Sequence, residues 1–263
     1  LTVAAEVTST LRVAALVYDV DYRHPVTLAK EIATLDLVSG GRVEFGIGAG
    51  WMADDYQAAG IQYDRPGVRI DRMIEAIEVV QGLWSGQPFD FRGSHYEISG
   101  LAGTPSPHRA GGPPLIVGGG GKRVLTEAAL RADIVGLNAS LHTGSVGPET
   151  ALSALGERFL ERRNWVEEAA GDRFPEIELQ MNTFMTAITN TTSQADEMFE
   201  GMAPMFGLSP EQARTIPMVL AGTTSDVCDQ LHRYRELYGT SYWVIHDGEV
   251  DTMAPVVAKM TDT

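Results

Sequence analysis

GGRVEFGIGAGWMADDY, residues 40–56, is the stretch on which the reading of the fold turns. Val43, Phe45 and Ile47 give it the apolar character of a buried strand. Gly46, Gly48 and Gly50 end that strand in a turn where another molecule can approach the backbone, since glycine carries no side chain. The same glycines also suit a tight turn after a core strand, and the stretch alone does not separate the two uses.

Upstream, residues 3–10 read as the end of a helix, and residues 11–18, LRVAALVY, as a strand apolar enough to be covered on both faces. Pro25 opens a helix that Gly40 and Gly41 stop. Downstream, residues 66–84 form a long helix with Ile70, Met73, Ile74, Ile77, Val80 and Trp84 on one face. Residues 88–98 alternate like a small hairpin outside the main sheet. Residues 115–117 make a short strand running into Gly118–Gly121, and residues 122–131 a helix. Then follow a strand at 134–137, a helix at 152–170, a strand at 178–188, capped helices starting near Ser209 and Thr223, and a last strand at 241–246. Strands separated by helices imply parallel βα units, as an open sheet or a barrel.

With 44% hydrophobic and 21% charged residues, the 263-residue chain has an ordinary globular composition. A net charge of −15 repels phosphate backbones, and no basic cluster offsets it, which argues against nucleic-acid and membrane-surface roles. Cys228 is the only cysteine, so neither an internal disulfide nor a thiolate metal site is available. The histidines, His24, His95, His108, His142, His232 and His246, show no metal-ligand spacing. No apolar run approaches the roughly 20 residues of a membrane span, and no signal peptide is evident, so the cytoplasm is the expected location. The chain opens on Leu1 within a helix end, which points to a missing beginning.

Residues 48–53, GAGWMA, fit the dinucleotide fingerprint formally, but Asp71, in the place of its acidic partner, falls inside a helix. The phosphate-loop pattern fails as well, with Ile116 at its first glycine and Arg123 after Lys122. A general feature survives: Gly118, Gly119, Gly120 and Gly121 before a helix present backbone N–H groups at its positive end, an anion site that Lys122 and Arg123 would strengthen. Asp54 and Asp55 read as a solvated helix start.

YRHPVTLAKEIATLDLVSGGRVEFGIGAGW at residues 22–51, the helix ending in Leu83-Trp84, PPLIVGGGG at 113–121 and ADIVGLN at 132–138 together resemble the luciferase-like flavin-dependent oxidoreductases, especially the branch using the deazaflavin coenzyme F420. The resemblance implies a (β/α)8 TIM barrel as a single domain over residues 1–263, lacking its first two strands here and carrying a hairpin insertion near 88–98. It also implies that Leu16, Val17 and Tyr18 flank the flavin-like ring at a strand bulge, often with a non-prolyl cis peptide. Gly48, Gly50 and Asp54 would line the ring and side-chain region, Gly118–Gly121 with Lys122 would hold the coenzyme phosphate, and Asn138 would join the cofactor site.

The implied chemistry is hydride transfer between F420 and a small organic substrate, in a homodimer. FMN-dependent monooxygenation and a non-catalytic, flavin-binding degenerate barrel are the alternatives. No catalytic residue is assigned, because the pair that often carries acid–base chemistry in relatives ends the second, missing strand.

Overall fold

Apolar runs alternating with capped helices build the elements of this computed structural model, which describes residues 1–261. Internal packing divides the chain into two units, Leu1–Gly118 with Arg131–Ile134, and Gly119–Leu130 with the remainder from Val135.

The first unit runs α1 (Thr2–Glu6), β1 (Val13–Asp19), α2 (Pro25–Ser39), β2 (Val43–Gly48), α3 (Ala53–Ala59), α4 (Pro66–Trp84), the antiparallel hairpin β3 (Pro88–Arg92) and β4 (Glu97–Ala102), and β5 (Leu115–Gly119), whose last residue belongs to the second unit. β1, β2 and β5 pair in that order, all parallel. Every residue of β2 is buried, as a parallel strand covered on both faces requires. α2 starts at Pro25, with His24 Nδ1 accepting from the Val26 N–H at 3.3 Å, and ends at Gly40 in the left-handed conformation, φ 66°. Its buried face, Leu28, Ala29 and Ile32, packs on α4, where Met73, Ile77 and Val80 are buried. The Arg42 guanidinium donates to the carbonyls of Ala5 at 2.6 Å, Leu11 at 2.7 Å and Ser39 at 2.8 Å, tying α1 and the approach to β1 to the end of α2.

The second unit runs α5 (Lys122–Arg131), β6 (Ile134–Leu137), α6 (Pro148–Ser153), α7 (Gly156–Ala170), β7 (Glu178–Asn182), β8 (Met185–Ile188), α8 (Thr192–Met202), α9 (Pro210–Ala213), β9 (Val219–Gly222), α10 (Thr224–Tyr238), β10 (Thr240–Val244) and α11 (Val250–Met260). Arg131 and Ile134, the end of α5 and the start of β6, fall in the first unit. β6, β7 and β10 lie in that order, and β8 pairs in parallel with β9. Cys228 is buried in α10.

Three sequence expectations change here. The strand expected at 178–188 is two strands, because the Thr183 N–H donates to Val244 O at 2.8 Å while the next N–H, of Phe184, donates to Met218 O at 2.6 Å. Neighbouring N–H groups thus serve different partners. One of them leads into β9, a strand absent from the sequence reading. The helix expected at 152–170 breaks at Ala154–Leu155, where Leu155 is extended, φ −60° and ψ 147°, and caps α7.

Candidate functional site

At the end of β1 the register against β2 slips. Ala15 faces Phe45 and Tyr18 faces Ile47, so β1 carries one extra residue, a β-bulge. The Leu16–Val17 peptide within it is cis, and both side chains are 40% exposed, an apolar ledge at the strand end. The bulge and the cis peptide implied by the resemblance are thus both present. The glycines opposite have a packing role: a Cβ on Gly46 would lie 2.3 Å from Ala15 O, and one on Gly48 2.5 Å from Val17 Cγ2. The space above the glycine strand is filled by this chain's own bulge.

Gly50, φ 64°, sits under a polar network. A Cβ there would meet the Tyr56 hydroxyl at 1.9 Å and Asp19 Oδ2 at 2.4 Å. The turn itself is held by Arg69, 3% exposed, which donates to Ala49 O at 3.1 Å and Gly50 O at 2.6 Å and lies 4.2 Å over the Tyr63 ring. Asp54 opens α3 with its side chain exposed, a solvated helix start, and Tyr56 is that helix's buried residue.

The Tyr56 oxygen lies 3.0 and 2.8 Å from the two oxygens of Asp19 and 2.7 Å from Asp21 Oδ2. A phenol has one proton to donate, so it cannot satisfy two ionised carboxylates. Arg72 pairs with Asp21 and with Asp64. Burial pushes Asp19 above its ordinary 3.8 against the opposing pull of its bonds to the Asp21 N–H and Tyr56. Burial, reinforced by the bonds to Asp21 and Asp19, holds the Tyr56 phenol far above its usual range, so it remains a donor. Beside this network a cleft of about 500 Å³ is lined by residues including Tyr22, His24, Gln62, Arg72 and Tyr96, with the His24 and Tyr96 rings edge to face at 5.4 Å.

Asp19 is faced by Asp21 and Tyr22 of its own turn, by Tyr56 from α3 and by Arg69 from α4. With its folded-state pKa raised, the folded protein holds the proton more tightly than the unfolded chain. Its contribution to stability is therefore full below about 3.8 and lost as pH rises through the folded value. Asp19→Asn keeps the shape and cannot titrate. The variant is expected to gain stability relative to the parent as pH is raised from about 4 to about 8 in urea unfolding; parallel stability profiles would refute the raised pKa of Asp19.

In the second unit, Gly119–Gly121 turn into α5. Gly119 O accepts from the Asn138 N–H at 3.1 Å, and a Cβ on Gly120 would lie 2.4 Å from Ala139 O, so the turn is pressed against the end of β6. Asn138 takes part through its backbone. Gly118, in the first unit, is half-buried near the end of β5. Lys122 turns outward: its ammonium is 3.9 Å from Glu168 and 6.0 Å over the Trp165 ring. The cation bonded to the turn is instead Arg162 of α7, 4% exposed, whose Nε donates to Gly120 O at 3.0 Å and Nη1 to Ser153 O at 2.6 Å. The sequence reading missed it. Its signal was a charged residue on an apolar stripe, with Gly156, Phe159, Arg162 and Val166 all on the buried face of α7.

Among the described residues no group of three or more His, Cys, Asp or Glu side chains is placed to hold a metal ion, and no helix is long and apolar enough to cross a membrane.

The model of the luciferase-like monooxygenase family matches residues 1–206. An FMNH2-dependent dimethylsulfone monooxygenase of Pseudomonas fluorescens is 33% identical over 124 residues, 47% of this chain and 33% of that protein. An F420-dependent hydroxymycolic acid dehydrogenase of Mycobacterium tuberculosis is 34% identical over 110 residues, 42% of this chain and 30% of that protein. The match spans less than half the length of these curated relatives. In fold, the chain resembles the coenzyme F420-dependent tetrahydromethanopterin reductase of Methanopyrus kandleri, with a TM-score of 0.74 at 18% identity, covering 98% of this chain and 84% of that one. The fold is α/β, with the parallel strand–helix alternation of the luciferase-like barrels.

Proposed function

Because the chain belongs to the luciferase-like monooxygenase family, we propose that it is an oxidoreductase that binds coenzyme F420 and exchanges a hydride between it and a small organic substrate. The observation that carries this reading is the bulge at the end of β1, which turns the apolar side chains of Leu16 and Val17 outward, each 40% exposed. A flat, largely apolar ring needs such a ledge, and burying it there removes apolar surface from water. Gly48 and Gly50 support the ledge indirectly: Gly48 seats Val17, and Gly50 makes room for the Tyr56–Asp19 pair. Tyr18 closes the bulge in register with Ile47. Asp54, exposed at the first turn of α3, is free to meet polar parts of the coenzyme. The Gly118–Lys122 segment is assigned to its phosphate, and Asn138 to the coenzyme site.

When bound, the deazaflavin supplies the hydride-carrying carbon, and the protein supplies orientation and electrostatics. Asp19 is this chain's candidate for holding a proton close to the ledge, two residues beyond Val17 on the same strand. The F420-dependent relative supports the coenzyme named here, and the FMNH2-dependent relative supports FMN as the second reading. A cytoplasmic homodimer belongs to the same proposal.

The test is direct titration of the purified protein with oxidised F420 and with FMN, followed by absorbance and fluorescence, then turnover across a substrate panel with each reduced coenzyme. Saturable F420 binding with substrate-dependent oxidation of its reduced form is expected. Binding of FMN alone would replace the coenzyme assignment, and tight binding with no turnover on any substrate would favour a non-catalytic flavin-binding protein.

A further inference from the structure

The cleft beside Asp21 lies wholly within the first unit, and its walls are held in place by contacts behind them. Tyr96 is the clearest case. The turn between β3 and β4 gathers its backbone around the carboxylate of Glu75 on α4, which accepts from the N–H groups of Ser94 at 2.7 Å, His95 at 2.8 Å and Tyr96 at 3.1 Å. A Cβ on Gly93 would lie 2.3 Å from Glu75 Oε2, so glycine at that position lets the carboxylate in. Three backbone donors on one charged acceptor hold the turn firmly and set the Tyr96 ring against His24. His24 is oriented in turn by the Val26 N–H; because its Nδ1 accepts that bond, the ring proton sits on Nε2. Across the cleft the Tyr22 ring leans on that of Tyr56, with centroids 5.6 Å apart.

The charged groups of the cleft already have partners. Arg72 is clamped between Asp21 and Asp64, Gln62 Nε2 donates to Asp64 at 2.6 Å, and Arg23 pairs with Glu31. An incoming anion would have to displace a carboxylate from Arg72, and a cation would have to displace Arg72 itself. What remains for a ligand is neutral. Among the described residues no hydrogen bond engages the hydroxyls of Tyr22 and Tyr96 or Nε2 of His24. Burial pushes the Tyr96 phenol up to about 12, so it keeps its proton at neutral pH. Two aromatic walls with a few convergent polar groups around about 500 Å³ have the make-up of a small-molecule site.

We propose that this cleft binds a neutral, hydroxylated aromatic ring between Tyr22 and Tyr96, hydrogen-bonded by their hydroxyls and by the Nε2–H of His24, with Glu75 as the residue that positions Tyr96. The site itself does not rest on the oxidoreductase reading; the ring's role as the substrate of that reaction does.

p-Cresol is the probe, titrated into the full chain with tyrosine rings labelled with 13C and followed by NMR. Toluene, benzoate and benzylammonium are the controls. Saturable shifts of the Tyr22 and Tyr96 signals are expected with p-cresol, at millimolar affinity for so small a ligand. Toluene should bind about fivefold or more weakly for want of the hydroxyl, and the two charged rings more weakly still. Tyr96→Ala and Tyr22→Ala should each weaken p-cresol about tenfold or more, whereas Leu101→Ala, an exposed position on the same hairpin, should match wild type. Glu75→Gln should move the Tyr96 signals of the free protein and weaken p-cresol several-fold; an unchanged spectrum and affinity would remove the positioning role. A wild type whose Tyr22 and Tyr96 signals stay still would overturn the site, as would charged rings that bind as tightly as p-cresol, or folded Tyr22→Ala and Tyr96→Ala variants that bind it unchanged. If Tyr96→Ala does not fold, Tyr22→Ala, at a 45% exposed position, decides. A protein that binds p-cresol in this cleft but neither F420 nor FMN would uphold the site and remove the coenzyme reading; coenzyme binding without p-cresol binding would do the reverse.

Discussion

Leucine in place of Gly120 is expected to abolish anion binding and to cost about 1–3 kcal/mol of stability, the usual range for overpacking a closed site, whereas alanine in place of the adjacent Gly121 leaves both unchanged. The run of four glycines is uniform in sequence and uneven in space. A Cβ on Gly120 would stand 2.4 Å from Ala139 O, 2.5 Å from the Ala139 carbonyl carbon and 2.6 Å from Ser140 N, all backbone atoms that cannot rotate away. The turn or the end of β6 must move, and with it the carbonyl that holds Arg162. The nearest atom to a Cβ on Gly119 is Val124 Cγ1, at 2.4 Å, a side-chain atom rather than backbone. Around Gly121 no atom lies within 4 Å of a new Cβ, and its φ is outside the left-handed region. Urea unfolding together with phosphate or coenzyme titration measures both effects. A Gly120→Leu protein as stable and as tight-binding as wild type, or a Gly121→Ala protein that loses either property, would contradict this packing account.

Trp84→Ala is the second large effect, about 3–5 kcal/mol, in the range for truncating a buried tryptophan. The residue is 5% exposed. Its indole N–H donates to Ala29 O of α2 at 3.0 Å, and its ring meets Phe45 of β2 edge to face at 5.4 Å. Gly112 lies so close that a Cβ there would be 2.2 Å from the indole. Removing the side chain empties the junction of α2, α4, β2 and the segment leading to β5. Trp84→Phe should lose less, since it keeps most of the apolar volume and forfeits mainly the hydrogen bond, about 0.5–1.5 kcal/mol. Chemical denaturation gives both numbers, and a loss below about 1 kcal/mol for the alanine variant would contradict the packing described.

Much of the fold was legible where local chemistry and burial agree. Pro66 and Trp84 bound a long amphipathic helix, and the structure has a helix with those ends. The apolar runs of β2 and β6 are strands buried along their whole length, whereas β1, expected from its apolar run to be covered on both faces, leaves Leu16 and Val17 exposed. What escaped depends on partners distant in sequence. β9 is only Val219–Gly222, four residues with no alternation to detect, and the break between β7 and β8 exists because two consecutive N–H groups serve different strands.

The site follows the same division. The glycine turns were visible, but what presses on them was not. Gly46 and Gly48 yield to Ala15 and Val17, and Gly50 to Tyr56 and Asp19, contacts that span more than 30 residues except for Tyr56. Lys122 drew attention because it adjoins the glycines in sequence, yet its ammonium belongs to the surface of α7. Arg162, 42 residues from Gly120, is the residue that bonds to the turn.

The extra residue in β1 also resets the strand's inside–outside phase. In a regular strand, side chains three positions apart point to opposite faces. Ala15 and Tyr18 are three apart, yet they stand beside Phe45 and Ile47, which are two apart and share a face. Alternation read from Val13 thus runs in antiphase with alternation read from Tyr18. Deleting a single residue at 16 or 17 would therefore remove the ledge and leave one phase along the whole strand: Ala15 and Tyr18, then two apart, would still stand beside Phe45 and Ile47, and Asp19 would keep its place beside Gly48.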